Sequence, residues 1–112
     1  MKKIDCIIRP SKLDEVKDAL YEAGVKGMTV SNVMGCGAQR GMRESYRGST
    51  YAVNLIPKIK IEVVVADDIL DQAVSIIMDK AHTGSLGDGK LFVCEVERVI
   101  RIRTGESGES AL

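Results

Sequence analysis

The residues best equipped for chemistry form one short run, Thr83-Gly84-Ser85-Leu86-Gly87-Asp88-Gly89-Lys90. From Gly84 to Lys90 it spells G-x-x-x-x-G-K, the spacing of a nucleotide-binding P-loop. A P-loop, however, joins a strand to a helix and follows its lysine with a serine or threonine that holds Mg²⁺. Here a helical pattern precedes the run, and Leu91-Phe92-Val93 opens a strand. The physics beneath the motif survives the change of context. Glycines at 84, 87 and 89 permit positive φ, in which successive backbone N–H groups converge on an anion, and Lys90 adds a mobile positive charge. The same run also reads as a plain glycine-rich turn between helix and strand.

Arg101-Ile102-Arg103 is the second feature. In an extended segment its two guanidinium groups project to one side, a spacing that grips phosphate in forked fashion or simply guards a solvated edge strand with charge. Nest, lysine and arginine pair together favour a polyphosphate ligand. Lys58 and Glu62 follow a long irregular stretch and read either as surface charge or as parts of a site. The single histidine, His82, stands at a helix end, where it caps the helix or, beside a phosphate nest, accepts a phosphoryl group.

The elements that must position these groups come from an internal repeat. Lys3-Ile4-Asp5-Cys6-Ile7-Ile8 and Lys60-Ile61-Glu62-Val63-Val64-Val65 share one pattern 57 residues apart, and Leu13-Asp14 recurs as Leu70-Asp71 at the same offset. Each copy predicts a strand and then a helix. In the first, Ser11 is the expected N-cap, Leu13, Val16 and Leu20 share a face, and Gly24 supplies the stop. In the second, Asp67 or Asp68 caps a helix that buries Ile69, Ala73, Ile76 and Ile77. A further strand follows each helix, over Gly27–Met34 and from Leu91 to about Val99. Two βαβ units in one sheet predict an α+β, ferredoxin-like βαββαβ sandwich with both helices on one face. Met28, Val30, Ile61, Val63 and Val65 are too many to face helices, so other copies of the chain are expected to cover the second face. Between the second and third strands the pattern fails from about Gly35 to Asn54, where three arginines and two tyrosines stand among glycines. A loop that long is functional or a floppy hairpin tip, and Tyr46-Arg47-Gly48-Ser49-Thr50-Tyr51 suits contact better than slack.

Composition bounds the rest. A chain of 112 residues buries roughly two thirds of its unfolded surface, enough for one core, so residues 1–112 read as a single domain with a tail over about 104–112. Lysine plus arginine equals aspartate plus glutamate at 16 each, which removes the bulk field needed to hold nucleic acid or an anionic membrane. No apolar run reaches the roughly 20 residues of a membrane span, and the start lacks a signal-peptide stretch, so a cytoplasmic protein is expected. Cys6, Cys36 and Cys94 lack C-x-x-C spacing and read as reduced, buried small hydrophobes.

Tyr46-Arg47-Gly48 with Tyr51, Lys58, the Thr83–Lys90 run and Arg101-Ile102-Arg103 stand at the spacing of the PII nitrogen-regulatory signal proteins, and the chain resembles that family over essentially its whole length. The resemblance implies a homotrimer with three T-loops, at about 37–54 here, expected to be flexible. It implies ATP or ADP in the clefts between subunits, and 2-oxoglutarate bound beside ATP through Mg²⁺. Matched by position, it places Gly37, Ala38, Gly87, Asp88, Gly89, Lys90, Arg101 and Arg103 at the phosphates and Thr29, Glu62 and Val64 near the adenine. Gln39 would complete the Mg²⁺ and 2-oxoglutarate site, with Gly87 beside the acid, and Lys58 would pair with a carboxylate of the acid or with the T-loop. Many members have arginine where this chain has Ala38, which leaves only backbone contacts there. Tyr51 matches a nucleotidylated tyrosine and Ser49 a phosphorylated serine, while Tyr46 and Arg47 would touch the partner, an ammonium channel or glutamine synthetase, so that any membrane association is indirect. The implied function is a non-enzymatic regulator of nitrogen metabolism. Two other classes fit parts of the sequence: a ferredoxin-like phosphotransferase using His82, and a trimeric metal-binding module using Cys36.

Overall fold

The computed structural model describes residues 1–37, 42–46, 49–53 and 55–112, the segments 42–46 and 49–53 by their backbone alone. Strand β1 (Lys2–Ile8) leads through a 3-10 turn (Pro10–Lys12) into helix α1 (Leu13–Glu22), and strand β2 (Thr29–Gly35) follows. After strands β3 (Met42–Tyr46) and β4 (Ser49–Val53), strand β5 (Ile56–Val65) passes through a second 3-10 turn (Asp67–Ile69) into helix α2 (Leu70–Ala81). Strand β6 (Lys90–Glu95) completes an antiparallel sheet of order β2-β5-β1-β6. This is the ferredoxin-like arrangement, and the repeat is visible in it. The repeated strands β1 and β5 lie side by side at the centre, and each enters its helix through an equivalent 3-10 turn.

Period-two burial assigns the faces. Ile4, Cys6 and Ile8 of β1 are buried, and their partners Val63, Ile61 and Ile59 on β5 are buried beside them. The helices close this face with Val16 and Leu20 from α1 and Ala73, Ile77 and Ala81 from α2, each set spaced by four. Helix α1 ends as its glycine requires: Gly24 has φ +96°, its N–H donates to the Tyr21 carbonyl, and the N–H of Val25 donates to that of Leu20.

Several expectations are corrected. Ile61, Val63 and Val65 all face the helices, because they alternate on one strand. What the opposite face carries is Lys3, Asp5 and Ile7 with Lys60, Glu62 and Val64. Ser11, Asp67 and Asp68 make no side-chain caps, since the 3-10 turns supply the entry; Asp67 instead takes the amino terminus at 2.8 Å and Lys2 at 3.5 Å. The stretch from Gly35 to Asn54 contains β3 and β4 paired antiparallel, Tyr46 opposite Ser49 and Glu44 opposite Tyr51, so it is partly a hairpin. Of the cysteines only Cys6 is buried; Cys36 and Cys94 are exposed. No helix among the described residues is long and apolar enough to cross a membrane.

Candidate functional site

The run Thr83–Gly89 joins α2 to β6, and its glycines take the left-handed conformations anticipated for a nest: φ +91° at Gly84, +101° at Gly87 and +89° at Gly89. Gly89 is irreplaceable on contact grounds too. A Cβ there would stand 1.8 Å from the Ile7 carbonyl oxygen, so the loop reaches β1 only as bare backbone.

One carboxylate organises the turn. Asp88 accepts the backbone N–H groups of Thr83 at 2.8 Å and Gly84 at 2.9 Å, the Thr83 hydroxyl, and Arg9 Nε at 3.0 Å. The Thr83 hydroxyl and these backbone donors hold its carboxyl well below the usual carboxylate range. Two cations grip the neighbouring carbonyls: Arg9 Nη2 donates to Leu86 O at 2.7 Å, and Lys58 Nζ donates to Gly87 O. Lys58 is buried, 8% exposed, and burial, followed by the nearby Arg9 charge, pushes its pKa down. A carboxylate or phosphate beside that ammonium would offset the desolvation, so the residues suit an anion.

The other end of the sheet carries a second group. Thr29 lies opposite Glu62 across β2 and β5, and both line a groove of about 560 Å³ with Val64, Val99 and Leu112. Glu62 is bridged by Lys3 at 3.0 Å and Lys60 at 3.5 Å, and the hydrogen bond from Lys3 lowers its pKa. Arg101 reaches the same region, donating through Nη2 to Leu112 O at 3.1 Å.

The arginine pair requires correction. Strand β6 stops at Glu95, and Arg101–Arg103 do not form an extended segment. The N–H of Gly105 donates to Arg101 O at 2.8 Å and that of Arg101 to Glu106 O at 2.8 Å, closing a tight turn allowed by Gly105 at φ +73°. Ile102 is fully exposed at its tip. The apolar-polar alternation imitates a strand, but the glycine downstream decides the geometry.

The structure therefore brings the sequence-predicted residues together in two groups. Gly37, Lys58 and Gly87–Lys90 belong to one end of the sheet, Thr29, Glu62, Val64 and the Arg101–Arg103 turn to the other. From Lys58 to Val64 along β5 is roughly 20 Å at the usual rise of a strand. Ala38, Gln39 and Arg47 lie outside the described residues, as do the side chains of Tyr46, Ser49 and Tyr51. His82 is the C-cap of α2, largely exposed, with Nδ1 3.8 Å from Asp88. Among the described residues no three His, Cys, Asp or Glu side chains gather to hold a metal. Sequence reasoning passed over Arg9 entirely; its one signal was a cation placed before Pro10 where an alternating strand ends.

A two-helix, four-stranded ferredoxin-like sandwich with a glycine-rich turn at one sheet end and a long insertion between strands β2 and β5 defines the class of protein. The chain belongs to the P-II nitrogen regulatory protein family: the family model described as Nitrogen regulatory protein P-II matches residues 1–106. Over 112 residues, all of both chains, it is 55% identical to the Nitrogen regulatory protein P-II of Azospirillum brasilense. Over the same full length it is 57% identical to that of Klebsiella oxytoca and to Nitrogen regulatory protein P-II 1 of Escherichia coli K12. Proteins of this family are nitrogen-signalling regulators rather than enzymes, and membership implies a homotrimer that binds nucleotides and effectors and acts on target proteins. The phosphotransferase reading of His82 falls with that assignment.

Proposed function

We propose that this protein reports nitrogen and energy status by binding ATP, ADP and 2-oxoglutarate, and that the bound effector sets the state of the T-loop and hence the hold on a target. The observation that carries the reading is the separation of the two residue groups by most of the length of one strand. A ligand spanning both needs two copies, the nest and Lys58 of one facing Thr29, Glu62, Val64, Arg101 and Arg103 of the next. Gly37 and the Ala38 backbone would approach the phosphates from the loop base. Gln39 would help hold Mg²⁺ and the acid, Lys58 would pair with a carboxylate of the acid, and the metal when bound would supply a hard positive charge suited to phosphate and oxo-acid oxygens. Control of the target is a population shift, since an effector changes partner affinity only by binding one loop state better. Tyr46 and Arg47 are the proposed contacts, Tyr51 and Ser49 the modification sites, the cytoplasm the compartment, and an ammonium channel or glutamine synthetase the favoured target.

Calorimetric titration tests the nucleotide half of this reading. Saturable ATP binding at one site per subunit, displaced by ADP, is expected; absence of binding to the folded trimer would overturn it.

A further inference from the structure

We infer that Arg9 is the positioning residue of the glycine loop, holding Asp88 and Leu86 so that the nest is built before any ligand arrives. The inference rests on the reading that this loop takes phosphate groups, and it assigns Arg9 and the Asp88 side chain to the loop's frame rather than to the ligand.

The chain delivers Arg9 to this task by local rules. Arg9 ends the alternating run of β1 and precedes Pro10, which disfavours the helical region for it; its backbone is extended, φ −63° and ψ 139°. The loop arrives from 77 residues away, and one planar guanidinium meets it at two points: Nε on Asp88 Oδ1 at 3.0 Å and Nη2 on Leu86 O at 2.7 Å. Asp88 passes the constraint on through the N–H groups of Thr83 and Gly84, which tie the loop's last residues to its first. Every peptide here is trans, so N–H and C=O of one peptide point opposite ways. With Leu86 O drawn to Arg9 and Gly87 O to Lys58, the N–H groups of Gly87 and Asp88 are turned to the opposite side. Two successive amides so aimed are the core of an anion nest. The Asp88 carboxylate has both oxygens committed to the frame, to Arg9, Thr83 and Gly84. This resolves why an acidic residue sits in a loop meant for phosphate: its negative charge is spent on the frame, and its amide serves the ligand.

The test combines amide hydrogen exchange in the ligand-free trimer with ATP titration of Arg9→Gln, Arg9→Lys, Asp88→Asn and the Arg9→Gln/Asp88→Asn double variant. Loss of one charge-assisted bond corresponds to roughly tenfold or more in an equilibrium. Arg9→Gln should therefore speed exchange at Thr83 and Gly84 about tenfold without ligand and weaken ATP by a similar factor. Arg9→Lys, which cannot span both acceptors, should fall between parent and Arg9→Gln, and it remains usable if the glutamine variant fails to fold. The double variant should be little worse than either single, because both remove one clasp. Unchanged exchange at Thr83 and Gly84 in the Arg9 variants would overturn the inference, as would losses in ATP affinity that simply add. If the parent itself binds no ATP, the nucleotide reading fails, and the exchange rates alone still decide whether Arg9 frames the loop.

Discussion

Replacing Gly89 by alanine should cost the protein about 2–5 kcal/mol of stability, the combined expectation for backbone strain and a side chain forced into occupied space, and should abolish nucleotide binding. The position combines φ +89° with a carbonyl oxygen 1.8 Å from where the new methyl must go. Neither neighbour can yield cheaply: Ile7 lies on central strand β1, paired with both Lys60 and Lys90. Gly84→Ala separates the two contributions. It has φ +91° but meets only His82 Nε2 at 3.7 Å, so strain alone remains, about 1–3 kcal/mol. Urea unfolding of both variants is the measurement. Equal losses would mean that the loop is free to lift off β1, contrary to the packing described.

Lys90→Ala and Arg103→Ala should each weaken ATP by roughly tenfold to a hundredfold, the usual consequence of losing a charge-assisted contact of about 1.5–3 kcal/mol. Arg101→Ala should lose less, because Arg101 must first release Leu112 O and Glu106. A stronger form of the prediction uses the two-ended distribution of the site. Lys90 stands at the nest end of the sheet and Arg103 at the far end, so under the proposed function they meet only across subunits. In a mixture of Lys90→Ala and Arg103→Ala chains, each trimer that contains both variants should then regain one intact cleft, and with it tight ATP binding. If both residues served a cleft within one chain, mixing would restore nothing.

How much of this was legible in the sequence follows from the range of the interactions involved. The 57-residue repeat, the alternation in β1 and β5 and the four-residue spacing in both helices are local patterns, and they led directly to the sandwich. The glycine spacing forecast the positive φ values because nothing but backbone freedom was at issue. What escaped was set at a distance. Arg9 and Asp88 are 79 residues apart, and only the folded sheet shows the two side chains joined. Which of Val63 and Val64 faces the helices depends on register against β1, which alternation within a single apolar run conceals. The turn at Arg101–Gly105 was hidden for the opposite reason: a short alternating segment carries a strand pattern, yet among the described residues no named strand pairs with it and the local glycine prevails.

Whether nucleotide and acid are bound together, as the proposed function requires, is measured by titration of 2-oxoglutarate into the trimer. Under the proposed function the oxo-acid end, a hard oxygen chelator, would suit a metal already held by phosphates, and a carboxylate of the acid would pair with Lys58, whose side chain is buried. Saturable binding is expected with ATP and Mg²⁺ together and none with ADP, whose shorter phosphate chain lacks the third group. Equal binding in the presence of ADP, or binding that persists with ATP in excess chelator, would contradict the account.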